Sequence, residues 1–406
     1  MSPLGVSRSR MSIVPILWMD DEPEAIHNYR RLLEGEESGI HVEIATSIAE
    51  AKQKLRQDAY GAVVIDCKMG QYGRGENGAR FLTEINSGNR ALPTFVFSGF
   101  ADDPVYQRHL KKSSAIEIVS KNENFELPLS NHSFFRSIRY FGEVYLRLRH
   151  FNPERVAFSA FIADREKFRE ELASHWPRNA FWITKEMVQK RYVWCVVCGD
   201  RMVDGSADLL DFPEDDALYQ LGKEYNLFPF AYTNAPVLSP EESGGSESLP
   251  GRVPIPRANQ KGSHSWAATT YDGDAYPTIS IRLEEHEVLA DFDTGARISI
   301  VPDNVVRAHM FPGWQSAYHL GKKFDYFTKR VSVGIQSASG TSKSANLPVW
   351  VVSNWNGGPF VSVNPVRNAL IGRDILRLFE LVVCLSSKDQ CTGIHFIDEL
   401  GLSSTP

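Results

Sequence analysis

The first 150 residues alternate short apolar runs with amphipathic stretches. The runs are Ile13–Met19, Val42–Ala45, Ala62–Ile65, Thr94–Phe97 and Ile116–Val119, and Glu24–Leu33 and Ile48–Gln57 lie between them with helical spacing. Five apolar strands alternating with helices predict an open parallel sheet covered on both faces. Phe134, Phe135, Ile138, Phe141, Tyr145 and Leu148 recur at helical spacing and predict a closing helix. The next stretch, 151–238, mixes helical pattern (Phe168–His175, Asp215–Tyr225) with an apolar strand, Tyr192–Cys198, that could pair with Met202–Val203. It reads as a small α/β domain of unknown role. Residues 239–265 hold Glu-Glu-Ser-Gly-Gly-Ser and several prolines, the texture of an exposed linker. Residues 266–398 are rich in β-formers and turns, with helical pattern mostly at Asp303–His309 and Asp374–Phe379, so an all-β domain is expected.

Composition narrows the function classes. With 44 Lys+Arg against 50 Asp+Glu the net charge is −6, which argues against a general grip on nucleic acid. No apolar run approaches the ~20 residues of a membrane span. Ile13–Trp18 is interrupted by Pro15 and meets Asp20 and Asp21, unlike a signal peptide. Five scattered cysteines make no disulfide framework. Cys195 and Cys198, three apart on an expected strand, point to opposite faces and suit no shared metal. The expectation is a cytoplasmic protein of several domains with no nucleic-acid or membrane partner.

Candidate chemistry lies first at the carboxyl ends of the N-terminal strands, where such sheets bind ligands. The first run ends at Asp20-Asp21, the third at Asp66, the fourth at Ser98 and the fifth at Lys121. Converging carboxylates suit a divalent cation with oxygen ligands, Mg²⁺ above all. A carboxylate can also become an acyl phosphate, with Ser98 and Lys121 placed to bind the phosphoryl oxygens. Ile16–Pro23, Val63–Asp66, Val96–Gly99 and Val119–Lys121 together resemble the receiver domain of bacterial response regulators over about residues 12–145, within an expected receiver domain of 12–150. The resemblance implies a doubly wound, flavodoxin-like α/β fold and Asp66 as phosphoacceptor. It further implies Mg²⁺ held by Asp20, Asp21, Asp66 and the carbonyl of Lys68, phosphoryl contacts from Ser98 and Lys121, and a histidine kinase as partner. Two positions depart from the pattern: Asn122 stands where Pro is usual, and Ile118 where an aromatic switch residue is usual. The loop after Asp66, with Gly70, Gly73, Gly75 and Gly78, is also long.

The second candidate is Leu289–Ala296, an apolar strand running into Asp293-Thr294-Gly295 and followed by Ile298–Val301. Asn368–Leu376, 75 residues further on from Asp293, is another apolar strand, then Gly372-Arg373-Asp374 opening a helix. In this order the two segments resemble retropepsin-like aspartic peptidases. The resemblance implies an all-β acid-protease fold over 266–398 and Asp293, Thr294 and Gly295 as the catalytic loop. It makes Gly372, Arg373 and Asp374 structural, and a hairpin flap is sought at Gly334, Ile335, Gln336 and Ser337. Where the family carries an acid after the Ala this chain has Arg297, which with Asp374 would make an ion pair of exchanged charge. The reaction needs two carboxylates sharing a proton. With one Asp-Thr-Gly per chain, the site implies a homodimer and no peptidase cofactor. The expected function is phosphorylation-controlled cleavage of a protein substrate. The alternative is a signalling adaptor that binds through both domains without catalysis.

Overall fold

The computed structural model describes residues 13–35, 39–69, 78–122, 132–234, 264–265, 267–268, 275–276, 278–293, 296–306, 311–319, 322–361, 367–386 and 391–401. The chain divides into two units, Met1–Pro153 with Ala173–Val188, and Glu154–Leu172 with Gln189–Pro406.

In the first unit, β1 (Val14–Met19), α1 (Pro23–Gly35), β2 (Ile40–Ala45), α2 (Ile48–Gln57), β3 (Ala62–Ile65), α3 (Gly78–Gly88), β4 (Thr94–Ser98), α4 (Pro104–Leu110) and β5 (Ile118–Ser120) alternate, and α5 (Ser133–Leu148) closes the series. The strands form one parallel sheet in the order β2-β1-β3-β4-β5, with Ile16 opposite both Val42 and Ala62. Both faces are covered, which is why the strands are apolar throughout. Ile16, Trp18, Phe95 and Phe97 pack with Phe134, Phe135 and Ile138 of α5. Leu17, Met19, Val63, Ile65 and Val96 pack on the other side with Phe81 and Leu82. The order reverses between β1 and β3, the point where such sheets open a crevice at their carboxyl ends.

The stretch expected as a middle domain is shared between the two units. It forms α6 (Phe158–Ala163), α7 (Arg169–Ala173) and α8 (His175–Lys190), then β6 (Trp194–Cys198), β7 (Arg201–Ser206), α9 (Asp215–Tyr225) and β8 (Pro229–Thr233). Residues of α8 up to Val188 belong to the first unit. Arg90 stacks on the Trp182 ring at 3.9 Å and pairs with Glu186 at 2.9 Å, and Lys185 donates to the Ala115 carbonyl. The sheet β7-β6-β8 belongs to the second unit. Its last residue is clamped there: Thr233 N–H donates to Gln315 Oε1 at 3.0 Å, and Gln315 Nε2 returns a bond to the Thr233 carbonyl at 2.9 Å. An independent core in 151–238 is thus replaced by two sets of contacts with different neighbours. Cys195 and Cys198 are buried free thiols on β6.

The rest of the second unit is mostly β. It comprises β9 (His264–Ser265), β10 (Ala267–Ala268), β11 (Ala275–Tyr276), β12 (Thr278–Leu283), β13 (His286–Phe292), β14 (Ile300–Pro302), β15 (Gln315–His319), β16 (Lys322–Gln336), β17 (Ser342–Val352), β18 (Ala369–Ile371), the helix α10 (Arg373–Leu378), β19 (Leu381–Ser386) and β20 (Cys391–Phe396). A mixed sheet runs β12-β13-β18-β14-β17-β16-β15, and an added β12–β16 pairing closes it on itself around Ile281, Leu283, Val331, Val333, Val349 and Ile371. The added pairing covers part of the β12 edge, which would otherwise invite pairing with other chains. At the expected helix Asp303–His309 the described part is a 3₁₀ turn at Asp303–Val305. The described part of the expected linker, His264–Ser265, is β9, paired with β20. Among the described residues no helix is long and apolar enough to cross a membrane.

Candidate functional site

Two sites take shape, one in each unit. In the first, the parallel register brings four strand ends to one edge. Asp20 follows β1, Asp66 follows β3, Ser98 ends β4 and Lys121 follows β5 by one residue. Ser98 Oγ donates to Asp66 Oδ1 at 2.6 Å, and the Lys68 N–H donates to the same oxygen at 3.1 Å. Lys121 Nζ donates to Asp20 Oδ2 at 2.6 Å and to Asp66 Oδ2. Burial pushes the Asp20 carboxyl above the usual range, against the bond and charge of Lys121 and the Glu22 N–H. Burial alone would pull Lys121 down, but its bonds to Asp20 and Asp66 outweigh that and leave the ammonium raised. The loop is fixed from behind by Gly78 at the start of α3, where a Cβ would lie 2.0 Å from the Asp66 carbonyl oxygen. Only glycine fits that approach.

Asp21 lies beside Asp20, half-buried, and Lys68 is exposed on the loop, its ammonium 4.8 Å from the Phe100 ring. Among the described residues no three His, Cys, Asp or Glu side chains converge as metal ligands. Asp20 and Asp66 instead share one ammonium. Their oxygens and the Lys68 carbonyl remain a hard-oxygen set of the kind Mg²⁺ takes, with few protein ligands and several waters. Ile118, at the usual switch position, is 38% exposed, and Gly70, Gly73 and Gly75 lie outside the described residues.

In the second unit Asp293 directly follows β13. Its N–H donates to the Ile371 carbonyl at 2.9 Å, continuing the parallel β13–β18 pairing. The Ala296 N–H lies 3.0 Å from the Asp293 carbonyl oxygen and 3.2 Å from its Oδ1, so the carboxylate folds back onto its own turn. The segment after β18 braces this turn. Arg373 N–H donates to the Ala296 carbonyl at 2.9 Å, and Gly372 N–H to Ser299 Oγ at 2.9 Å. Ser299 in turn donates through its N–H and hydroxyl to Asp374 at 2.8 and 2.7 Å. Burial raises the Asp374 carboxyl, and the Ser299 bonds oppose it. A Cβ on Gly372 would lie 2.8 Å from the Ile298 carbonyl carbon, so Gly372 admits the close approach of the two segments. Asp374 is thus bound by Ser299, and the exchanged-charge pair with Arg297 does not form. Thr294 and Gly295 lie outside the described residues.

The flap expected at Gly334, Ile335, Gln336 and Ser337 is at the wrong end of its strand. Gly334 pairs with Arg282, which pairs with Glu287, six residues before Asp293. At ~3.3 Å per residue that is about 20 Å away. The turn after Gln336 is pinned elsewhere: Ala338 N–H donates to the Ile394 carbonyl, and Ser337 and Ser339 donate to Glu399. The hairpin that reaches Asp293 is β15–β16. His319, at the end of β15, lies flat on Phe360 at 5.3 Å, and Phe360 on Trp355 at 4.4 Å. Burial and then the Arg367 charge pull the His319 imidazole down, while the Asp293 carboxylate pulls it up.

Beneath this stack is an ion pair the sequence reading missed. Arg367 Nη1 lies 3.1 Å from Asp291 Oδ2 with both side chains almost wholly buried, and Arg367 also donates twice to the Phe360 carbonyl. The sequence signal was an acid inside the apolar strand Leu289–Phe292. Its partner 76 positions on shows only in three dimensions.

Comparison with known proteins bears on the first unit. Residues 16–128 match the family described as response regulator receiver domain. Among solved structures the chain is similar to a CheY-like receiver domain protein from Methanospirillum hungatei JF-1 (19% identity, 28% of this chain and 85% of that one, TM-score 0.25). It is also similar to the N-terminal receiver domain of a two-component response regulator from Bacteroides fragilis (24%, 28% and 88%, TM-score 0.24), and to a Francisella response regulator receiver domain (19%, 31% and 96%, TM-score 0.25). No curated protein matches the chain. The N-terminal domain is therefore a response-regulator receiver domain, which implies two-component signalling.

Proposed function

We propose that this protein is an aspartic endopeptidase controlled by its receiver domain. A histidine kinase supplies the phosphoryl group: the P–N bond of its phosphohistidine breaks and a P–O bond forms to an Asp66 carboxylate oxygen. Ser98 and Lys121 already contact that carboxylate and are placed to take the phosphoryl oxygens. The Asp20 and Asp66 oxygens and the Lys68 carbonyl would hold Mg²⁺, which offsets the charge of the phosphoryl group. Asp21 would take part through bound water.

The observation that carries the peptidase reading is the bracing of the Asp293 turn by Gly372–Asp374 through Ser299 and Ala296. That brace holds a carboxylate at a strand end in a fixed pose. Two such carboxylates from two chains share one proton. One takes a proton from water as it attacks the scissile carbonyl, and the other gives its proton to the carbonyl oxygen. The C–N bond then breaks as the amine leaves protonated. In this reading the β15–β16 hairpin, with His319, is the flap, and Thr294 and Gly295 complete the loop. A homodimer whose association depends on Asp66 phosphorylation would make dimer control into activity control.

The test is cleavage of a peptide library by the purified chain with and without a small phospho-donor. Wild type should cleave to a different extent with and without the donor, Asp293→Asn should not cleave under either condition, and Asp66→Asn should show one level of activity that the donor does not change. Silence of the wild type under forced dimerisation would instead favour the adaptor reading.

A further inference from the structure

The first unit carries a groove of about 790 Å³ beside the amino end of β1, where Ile13, Pro15, Tyr140 and Leu146 supply apolar surface. Asp20 lies past the other end of this six-residue strand, so the groove and the phosphoryl site are about 20 Å apart. Ile13 is 67% and Tyr140 63% exposed, so two large side chains meet water on one surface. Contiguous apolar surface marks an interaction site, whereas scattered single residues do not. The groove wall is set by close packing: a Cβ on Gly142 would lie 2.7 Å from Val14 Cγ1, so α5 rests directly on β1.

The rim of the groove is cationic. Its one acid, Glu143, is paired with Arg139 of the same helix at 3.1 Å. Arg147 and Arg149 also line it, both exposed and without an ion pair among the described residues. Residues 1–12, which lead into Ile13, carry Arg8 and Arg10 and no acid, so their charge does not match this rim. Shape narrows the occupant further. Small-molecule sites enclose most of their ligand, and side chains two-thirds exposed enclose little. A flat lipid surface does not fill a concave groove. β1 is paired on both sides, to β2 and β3, so no strand can add here and an occupant engages through side chains alone, as a helix in a groove does.

We propose that this groove docks an acidic amphipathic helix of a partner protein. The apolar face of that helix covers Ile13, Tyr140 and Leu146, and its carboxylates pair with Arg147 and Arg149. Guanidinium groups match carboxylates in geometry as well as charge. The phosphoryl site stays open while the groove is filled, so docking and phosphorylation do not compete for space. The site is independent of the peptidase reading.

The test is calorimetric titration of the full-length protein with two blocked peptides of about 15 residues, long enough for a marginal helix. One is an amphipathic helix of Leu and Glu, and its twin has Lys for every Glu. The Glu peptide should bind about tenfold tighter than the Lys twin, as charge-assisted bonds predict. Arg147→Glu should reverse that preference, and Tyr140→Ala should weaken the Glu peptide about tenfold. Both positions are exposed, so the urea-unfolding midpoints of the variants should stay at the wild-type value. Equal binding of the two peptides, or a preference that survives Arg147→Glu, overturns the proposal. Binding that appears only after removal of residues 1–12 would make that segment the occupant and overturn it too. The same holds if Tyr140→Ala and Arg147→Glu weaken self-association in sedimentation equilibrium without changing peptide binding, which would make a second copy the occupant. Binding to phosphatidylserine vesicles with no response to the Glu peptide would replace the helix by a lipid surface. None of these readouts needs catalysis.

Discussion

At the scale of single residues, both sites depend on side chains and glycines that leave no alternative arrangement. A Gly78→Ala chain must move the Asp66 carbonyl, because the new methyl would lie 2.0 Å from it. Phosphoryl incorporation from a small donor, followed by intact mass, should fall sharply in that variant while Asp66→Asn abolishes it. The Asp291–Arg367 pair is buried, so removing one partner leaves a lone charge. Arg367→Met should cost about 3–5 kcal/mol in urea unfolding, and the double variant Asp291→Leu with Arg367→Met much less. His319 reports on Asp293 directly. Its imidazole is pulled up by the Asp293 carboxylate, so Asp293→Asn should lower its NMR titration midpoint further. Asp20, Asp66, Ser98 and Lys121 were legible from the sequence because each sits at the end of an apolar run. Asp291, Arg367 and His319 were not, since each earns its role from a neighbour distant in sequence.

At the scale of elements, local pattern identified strands more readily than their partners. The five receiver strands stood out because burial on both faces makes them apolar throughout. Most of α8 was hidden because its buried face carries His175, Arg178 and Asn179, polar residues that blur the apolar stripe. The sheet β7-β6-β8 was foreseen in part, but its attachment through Thr233 and Gln315 follows from tertiary pairing alone. The flap went to the wrong end of β16 for a related reason. A strand of 15 residues has a turn at each end, and only the register with β12 says which end nears Asp293. The Ser337–Thr341 turn instead holds Glu399. Burial would raise that carboxyl, but bonds from Ser339, Thr341, Ser337 and the Phe396 N–H outweigh it and hold it at about 2. A depressed carboxyl stabilises the fold fully above its unfolded value of ~4.3, and that stabilisation is lost as pH falls toward about 2. The protection of the Ala338 amide, the slowing of its exchange relative to an unstructured amide at the same pH, should therefore fall over that acid window in wild type. Glu399→Gln should show lower protection already at neutral pH and little further change in protection on acidification.

At the scale of the whole molecule, the chain joins a receiver domain to a mostly β unit that carries one braced carboxylate. The proposed activity needs two such carboxylates, so two chains must act as one enzyme. The most direct test mixes wild type with Asp293→Asn at constant total chain concentration, under forced dimerisation with random exchange of subunits. If each active site takes Asp293 from both chains, cleavage falls as the square of the wild-type fraction, to about a quarter at an equal mixture. A linear fall, to about half, would mean that one chain suffices and would contradict the shared site. Cleavage that ignores Asp293→Asn altogether would remove the peptidase account.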